Sequence, residues 1–388
     1  MNNHKIIYIG QFIPPAGNAV AQRVRANARL FMALGYDVVL VGCDKEILTT
    51  KRKEDPEFET YITPYPNSIS AWLKRCVLVD DYLKIIDSFD GVDIVITCDL
   101  QSIAQSRLRR ALKKRNIKYV EDTMEWIRHS RKKSFRTIIK DVDTYFRMSR
   151  QHIKTHNIIS ISNYLHSYYI GKGCNSVNIP VLIDYHADKW MISEQKYIPN
   201  AIRTLIYAGD AGSIGYKERI DKVVELACGL YRNGTPLRVE MIGLERDAFA
   251  KQCPSIAADP DFDNVAFFYG RQSHEFCLKK IRMADASILI RENSIEMQAG
   301  FPTKLSESLR LGVPPIITNI GGYDKYIEDC KDCFFVKDTD NDTILDVLKK
   351  FAELTDSELM VIHDNCESNK SFHYMNYLDS MKNFISKI

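Results

Sequence analysis

The chain has 388 residues, of which 45% are hydrophobic and 27% charged, with a formal net charge of +3. It is too long for one ordinary core and predicts two globular domains. No run of about 18 apolar residues occurs, which excludes a membrane-spanning helix. The opening Met-Asn-Asn-His-Lys, followed by Ile-Ile-Tyr-Ile, reads as too short and too strand-like for a signal peptide.

The first half predicts alternating strands and helices. Lys5–Gly10 is an apolar strand, residues 11–19 a Gly/Pro loop, and Ala21–Leu34 an amphipathic helix stopped by Gly35. Strands are predicted at Asp37–Gly42, Val92–Cys98, Lys118–Glu121 and Asn157–Ser162, with a basic helix between the second and third of these. Residues 178–184 contain Pro180 and read as a crossing between domains. The second half repeats the pattern. Strands fall at Thr204–Ala208, Leu237–Ile242, Ala266–Tyr269, Ala286–Ile290, Pro315–Thr318 and Cys333–Val336, and helices at Asp221–Tyr231 and His274–Met283. Strands separated by helix-length segments imply parallel sheets covered on both faces. Near the end, Tyr377, Leu378, Met381, Phe384, Ile385 and Ile388 make one apolar helix face.

Ten scattered cysteines, several in apolar or helical context (Cys43, Cys98, Cys228, Cys277), suit buried thiols in a reducing cytoplasm. Cys330 and Cys333 form a lone C-x-x-C without a second pair or a His at zinc spacing, so no metal is expected. The basic residues are uneven. Arg107, Arg109, Arg110, Lys113, Lys114, Arg115 and Lys118 crowd one segment, and Arg128, Arg131, Lys132, Lys133, Arg136 and Lys140 another. Such runs are solvated faces or attract an anionic bilayer. No recognised motif accompanies them that would indicate nucleic acid.

Four stretches carry candidate chemistry. The first loop, Gly10 to Val24, lacks the dinucleotide fingerprint, which argues against NAD and an oxidoreductase. Its small residues Gly17 and Asn18 permit close approach to a ligand. Tyr119 to Trp126 puts Asp122 and Glu125 past a strand's carboxyl end, where a carboxylate can orient or deprotonate a hydroxyl. Gly209 to Arg219 contains Lys217 and Arg219. The most informative stretch, residues 299–317, reads Ala-Gly-Phe-Pro-Thr-Lys-Leu-Ser-Glu-Ser-Leu-Arg-Leu-Gly-Val-Pro-Pro-Ile-Ile. It predicts a helix with Pro302 in its first turn, Gly312 at the left-handed C′ position, and Pro314 and Pro315 beyond. Free N–H groups at that helix start would suit a phosphate. Lys304 works against the helix dipole unless an anion is near.

This stretch resembles the nucleotide-sugar site of retaining glycosyltransferases of the GT-B architecture, family 4, in a bacterial branch that builds surface polysaccharides. The resemblance implies an α/β fold of two Rossmann-like domains with a central crevice. Residues 1–180 would form the acceptor side, completed by a terminal helix at 372–388 crossing back, and 185–371 the donor side. It implies that Glu307 binds the ribose hydroxyls and that Lys217 binds the donor diphosphate. The family's second cation falls at Asp210, so Arg219, Arg271 or Arg291 is needed to complete the charge. The family's first acid falls at Ala299. Glu292 or Glu296 is a substitute, or the donor sugar rests on backbone groups of Gly300, Phe301, Pro302 and Thr303. Implied partners are a nucleoside-diphosphate sugar and a saccharide or lipid-linked saccharide, without metal or other cofactor, in the cytoplasm or on the inner face of a membrane. A sugar-nucleotide epimerase and a non-catalytic partner subunit share this architecture and stay open.

Overall fold

The computed structural model describes residues 4–15, 18–126, 135–185, 187–190, 197–209, 214 and 217–388. Contacts divide the chain into a first unit, Met1–Leu182 with Gln298–Phe301 and His373–Ile388, and a second, Ile183–Met297 with Pro302–Phe372.

Among the described residues the first unit carries eight strands: β1 (Lys5–Gly10), β2 (Asp37–Asp44), β3 (Lys51–Lys53), β4 (Glu59–Pro64), β5 (Val92–Cys98), β6 (Lys118–Thr123), β7 (Asn157–Ser160) and β8 (Asn175–Asn178). Their order is β3-β4-β2-β1-β5-β6-β7-β8, and only β3 runs antiparallel to its neighbour. Ile6 to Ile9 are each 0% exposed, as a strand covered on both faces requires. Three strands escape the sequence pattern. β3 is entirely Lys and Arg, a charged edge strand with no apolar period. β4 has a weak alternation, and β8 is a short polar edge. The terminal helix Leu378–Ile385 belongs to this unit. It buries Met381 and Phe384, and Asn175 Nδ2 donates to the Phe384 carbonyl at 3.3 Å.

The second unit holds β9 (Arg203–Ala208), β10 (Leu237–Ile242), β11 (Ala266–Phe268), β12 (Ala286–Leu289), β13 (Pro315–Thr318) and β14 (Phe334–Val336). The order is β11-β10-β9-β12-β13-β14, with every pair parallel. Asp285, fully buried just before β12, ties the sheet's lower edge together. Its carboxylate accepts from Thr204 N–H at 2.6 Å and from Asn200 N–H at 3.0 Å. The helix Thr303–Arg310 forms as expected, with two refinements. Pro302 is the N-cap residue rather than the first helical one, its φ of −75° and ψ of 117° being extended. Gly312 is left-handed at φ +73°, and Val313 N–H donates to the Ser308 carbonyl at 2.9 Å, a Schellman closure.

In the first unit the chain fills one side of β1 and then the other, so the strand order reverses between β1 and β5. In the second unit it reverses between β9 and β12. Loops leaving the carboxyl ends of such a strand pair splay apart and leave a ligand crevice. In the first unit Gly10 closes on Cys98 so tightly that a Cβ would sit 2.1 Å from the thiol sulfur. Gln11 Nε2 donates to the Asp99 carbonyl at 2.9 Å, across the reversal point.

Beneath this edge lies a buried ion network. Arg23, on the helix Ala19–Ala33, donates through NH2 to Asp122 Oδ1 at 2.6 Å and through Nε to Oδ2 at 3.0 Å. Tyr8 hydroxyl also donates to Asp122, and Arg23 NH1 reaches the carbonyls of Ile179 and Pro180, both at 2.9 Å. The Asp122 side chain is 0% exposed. This network anchors the first helix, β1, β6 and the chain leaving β8 to one carboxylate. Asp122→Ala should therefore cost about 3–5 kcal/mol in urea unfolding, because it strands a buried guanidinium. The double variant Asp122→Leu with Arg23→Met should recover most of that loss, and a single-variant cost below about 1 kcal/mol would contradict the assignment.

Candidate functional site

At the carboxyl edge of the second sheet, three charged side chains, two from loops and one from a helix start, meet beside the β9–β12 reversal. Glu218, which follows the β9 loop, has a side chain only 3% exposed. Arg291, just past β12, donates to Glu218 Oε1 through NH2 at 2.5 Å and Nε at 3.1 Å. Lys304, in the first turn of Thr303–Arg310, places Nζ 3.4 Å from the same oxygen. Tyr207, at the end of β9, donates to Glu218 Oε2 at 3.4 Å, and its ring centroid lies 4.0 Å from the Lys304 ammonium. Gly209 completes the enclosure. Its φ is +155°, and a Cβ there would stand 2.6 Å from Lys304 Cε and 2.8 Å from Nζ, so only glycine fits.

Local backbone bonds set these positions. Thr318 Oγ1, at the end of β13, accepts from Arg291 N–H at 2.9 Å and donates to the Arg291 carbonyl at 3.0 Å. Arg219 N–H donates to the Ile290 carbonyl at 2.8 Å, stitching the loop that bears Lys217 and Glu218 to the end of β12.

The electrostatics follow from burial and pairing. Burial alone would raise the Glu218 carboxyl, but Arg291 and then Lys304 outweigh it and hold it down at about 2. Burial dominates for Lys304 and lowers its ammonium to about 8. Glu218 opposes that shift, while Arg291 and Lys217 add to it. Arg291 is lowered by burial and raised by Glu218, with a net upward shift. Lys217 itself is exposed. Three cations thus stand against one carboxylate, a surplus of positive charge at a switch point.

Other expected donor residues divide. Arg219 is held by Asp221 at 2.8 Å and Glu292 at 2.5 Å, and Glu292 also accepts from Thr339 at 2.8 Å. Both ends of that pair are engaged away from the cluster. Arg271 is exposed on the loop after β11, and among the described residues no hydrogen bond or ion pair joins it to Glu218. Glu307 lies one turn beyond Lys304 on the same helix side, 15% exposed, with His274 Nε2 at 3.8 Å. No side chain caps the start of this helix. Ala299 is fully buried, and its carbonyl accepts from Ser162 Oγ at 2.9 Å. Gly300 and Phe301 group with the first unit, and Pro302, Thr303 and Lys304 with the second. Asp210 and Gly17 lie outside the described residues. Asn18 caps its helix by accepting from Ala21 N–H at 2.9 Å, which occupies its side-chain oxygen.

In the first unit the two expected carboxylates separate. Asp122 belongs to the buried network, so it is not presented to a ligand. Glu125 is half-buried beyond β6. Asp99, which the sequence reading missed, sits past β5 in the left-handed region at φ +58° and accepts from Arg147 at 3.2 Å. Glu121 is buried beneath, held by Tyr119 hydroxyl at 2.5 Å, and burial raises its carboxyl to about 8. Glu218, Tyr207 and Gly209 were missed too. Their only sequence signal was position, next to Lys217 and at the end of β9.

Residues 193–365 match the family described as Glycosyl transferases group 1. The whole chain shares its fold with solved structures. Sucrose-phosphate synthase from Thermosynechococcus elongatus aligns over 99% of both chains at 12% identity and a TM-score of 0.70. The lipopolysaccharide outer core galactosyltransferase WaaB, in apo form, covers 99% of this chain and 100% of its own at 16% identity and 0.65. Anabaena HepE in complex with UDP covers 99% and 100% at 11% identity and 0.66. No curated protein sequence matches the chain. The architecture is therefore that of the GT-B glycosyltransferase structures, two parallel-sheet α/β units.

Because Glu218 balances two buried cations, Glu218→Gln should destabilise the second unit by about 3–5 kcal/mol in denaturant unfolding. Adding Lys304→Met should restore part of the loss. Glu218's folded value lies below the ordinary 4.5. Its contribution is thus complete above about 4.5 and disappears as pH falls toward about 2. A Glu218→Gln protein with unchanged stability at neutral pH would show that the cluster is not coupled to folding.

Proposed function

We propose that the protein transfers a sugar from a nucleoside-diphosphate donor to a hydroxyl of a saccharide or lipid-linked saccharide, retaining the anomeric configuration, in the building of a cell-surface polysaccharide. The observation that carries this reading is the Glu218–Arg291–Lys304 cluster beside Lys217, at the reversal point of the unit that matches a glycosyltransferase family. A pyrophosphate bears more than one negative charge, and the cluster with Lys217 offers two net positive ones in a partly desolvated site.

In this reading Lys217, Arg291 and Lys304 stabilise charge as the bond between anomeric carbon and phosphate oxygen breaks, through an oxocarbenium-like transition state. The acceptor oxygen bonds to the anomeric carbon, and its proton passes to a carboxylate or to the departing diphosphate. Of the carboxylates past β6, Glu125 is the one we assign to the acceptor, because Asp122 is committed to Arg23. Glu307 takes the ribose hydroxyls. The cations meet the leaving-group charge without a metal. The enzyme would work in the cytoplasm, against the inner face of the membrane that holds a lipid-linked acceptor.

Thermal-shift titration with UDP, GDP, ADP, CMP and their sugars tests donor binding. A ligand at a hundred times its Kd adds about 2.7 kcal/mol of stability. Lys217→Ala should weaken nucleoside-diphosphate binding roughly ten- to a hundredfold, the worth of one charge-assisted bond, with little effect on the nucleoside alone. Affinity should also decline as pH rises through about 8, where Lys304 loses its proton in the empty site. Absence of binding by any nucleoside diphosphate would end the reading, and conversion of a donor without acceptor would replace it with an epimerase.

A further inference from the structure

The parallel strands β1, β2 and β4 all end at the edge where the first unit reverses, and β4 stands two strands from β1. At about 4.8 Å per strand, that is roughly 10 Å along the edge. There a cavity of about 500 Å³ opens between the loop after β2, the end of β4 and the helices Ile69–Val77 and Asp80–Asp87. Small-molecule sites are of this size, about 300–1,000 Å³. Its lip is apolar and uncovered. Leu48 and Leu78 are 83% and 47% exposed, and Tyr65 is 36% exposed.

The wall is basic. Lys74 and Arg75 stand in the last turn of Ile69–Val77, and neither enters an ion pair among the described residues. The acids at the cavity are engaged with their own helix. Asp80 and Asp81 occupy its first turn, at the positive end, and Asp81 lies 3.7 Å from Lys84. Arg75 uses only one of its nitrogens. Nη1 donates to the Pro64 carbonyl at 2.8 Å, whereas Nε and Nη2 are enclosed without an oxygen or nitrogen partner among the described residues. The Cys43 thiol is near, pushed up by burial and drawn back by Arg75. Buried donors without an acceptor are unfavourable and uncommon in folded chains. Nε with Nη2 is also the edge that grips a carboxylate or phosphate through two bonds, as Arg23 grips Asp122.

We propose that this cavity is a saccharide subsite for an oxyanion-bearing sugar of the acceptor, a uronate or a sugar phosphate. The C–H face of the sugar packs on Tyr65, Leu48 and Leu78. Arg75 turns its idle edge to the oxyanion, and Lys74 joins it. Asn67, also on the lining, offers a donor and an acceptor to the hydroxyls. A neutral sugar or an apolar ligand would leave both cations unanswered. The inference rests on the reading of a saccharide acceptor. Donor binding belongs to the second unit, so a chain that binds UDP but no acidic sugar loses this subsite alone.

Ligand-observed NMR titration of the full chain with glucuronic acid, glucose 6-phosphate, glucose and inorganic phosphate provides the test. One of the two acidic sugars should bind with a Kd on the order of 1 mM, at least about tenfold tighter than glucose. A preference for glucuronic acid names a carboxylate as the oxyanion, and a preference for glucose 6-phosphate with competition by inorganic phosphate names a phosphate. Tyr65→Ala with Lys74→Gln, both on exposed side chains, should weaken that binding about tenfold, with melting point and UDP affinity unchanged. Arg75→Met should erase the preference over glucose; should it fail to fold, the Tyr65 and Lys74 variant decides. Equal binding of glucose and the acidic sugars would overturn the proposal, as would no binding up to roughly 10 mM. So would a Tyr65 and Lys74 variant that binds like the parent.

Discussion

Parallel strands cannot be joined by a tight turn, so each pair demands a crossover long enough to hold a helix. That constraint shapes both units. The crossovers cover the sheets on both faces, which is why Ile6 to Ile9 and most of β9 are buried. They also bring all the loops that follow parallel strands to one edge, and the strand order must reverse somewhere along it. Lys217 and Glu218 follow β9, whereas Arg291 and Lys304 follow β12, yet they meet because β9 and β12 adjoin at the second unit's reversal.

Both units solve the same electrostatic problem at that edge in different ways. In the first, the Arg23–Asp122 pair is neutral, wholly enclosed and satisfied by backbone carbonyls and a tyrosine hydroxyl, so it holds strands together and offers nothing outward. In the second, one carboxylate faces two cations, and the side chain of Lys304 remains 25% exposed. Desolvating an ammonium beside a guanidinium is unfavourable, as the lowered Lys304 proton affinity registers. An incoming anion relieves that imbalance. One pair stiffens the scaffold, and the other leaves charge in reserve for a ligand.

Much of the fold was legible because a strand covered on both faces is a run of apolar residues. β1, β5, β10 and β13 have the bounds their composition suggests. The Gly312 stop was legible for an equally local reason, since few other residues adopt a left-handed φ at low cost. Edge strands carry no such signature: β3 is all basic, and β8 is two asparagines around Ser and Val. The site was only partly legible. Lys217, Lys304 and Glu307 stand in a recognisable motif. Glu218 reads in the sequence as one more surface acid between basic neighbours, and Asp122 as a candidate base.

The amino-acid order by itself determined the alternation of strands and helices, the two-unit organisation it implies, and the motif at 299–317, because these depend on neighbours within a few turns of chain. Tertiary structure decided which charges are spent and which are left over. Arg23 and Asp122 are 99 residues apart, and Glu218 and Arg291 are 73. Whether a carboxylate serves as an anchor or a ligand contact depends on burial and on partners that only folding brings within about 3 Å.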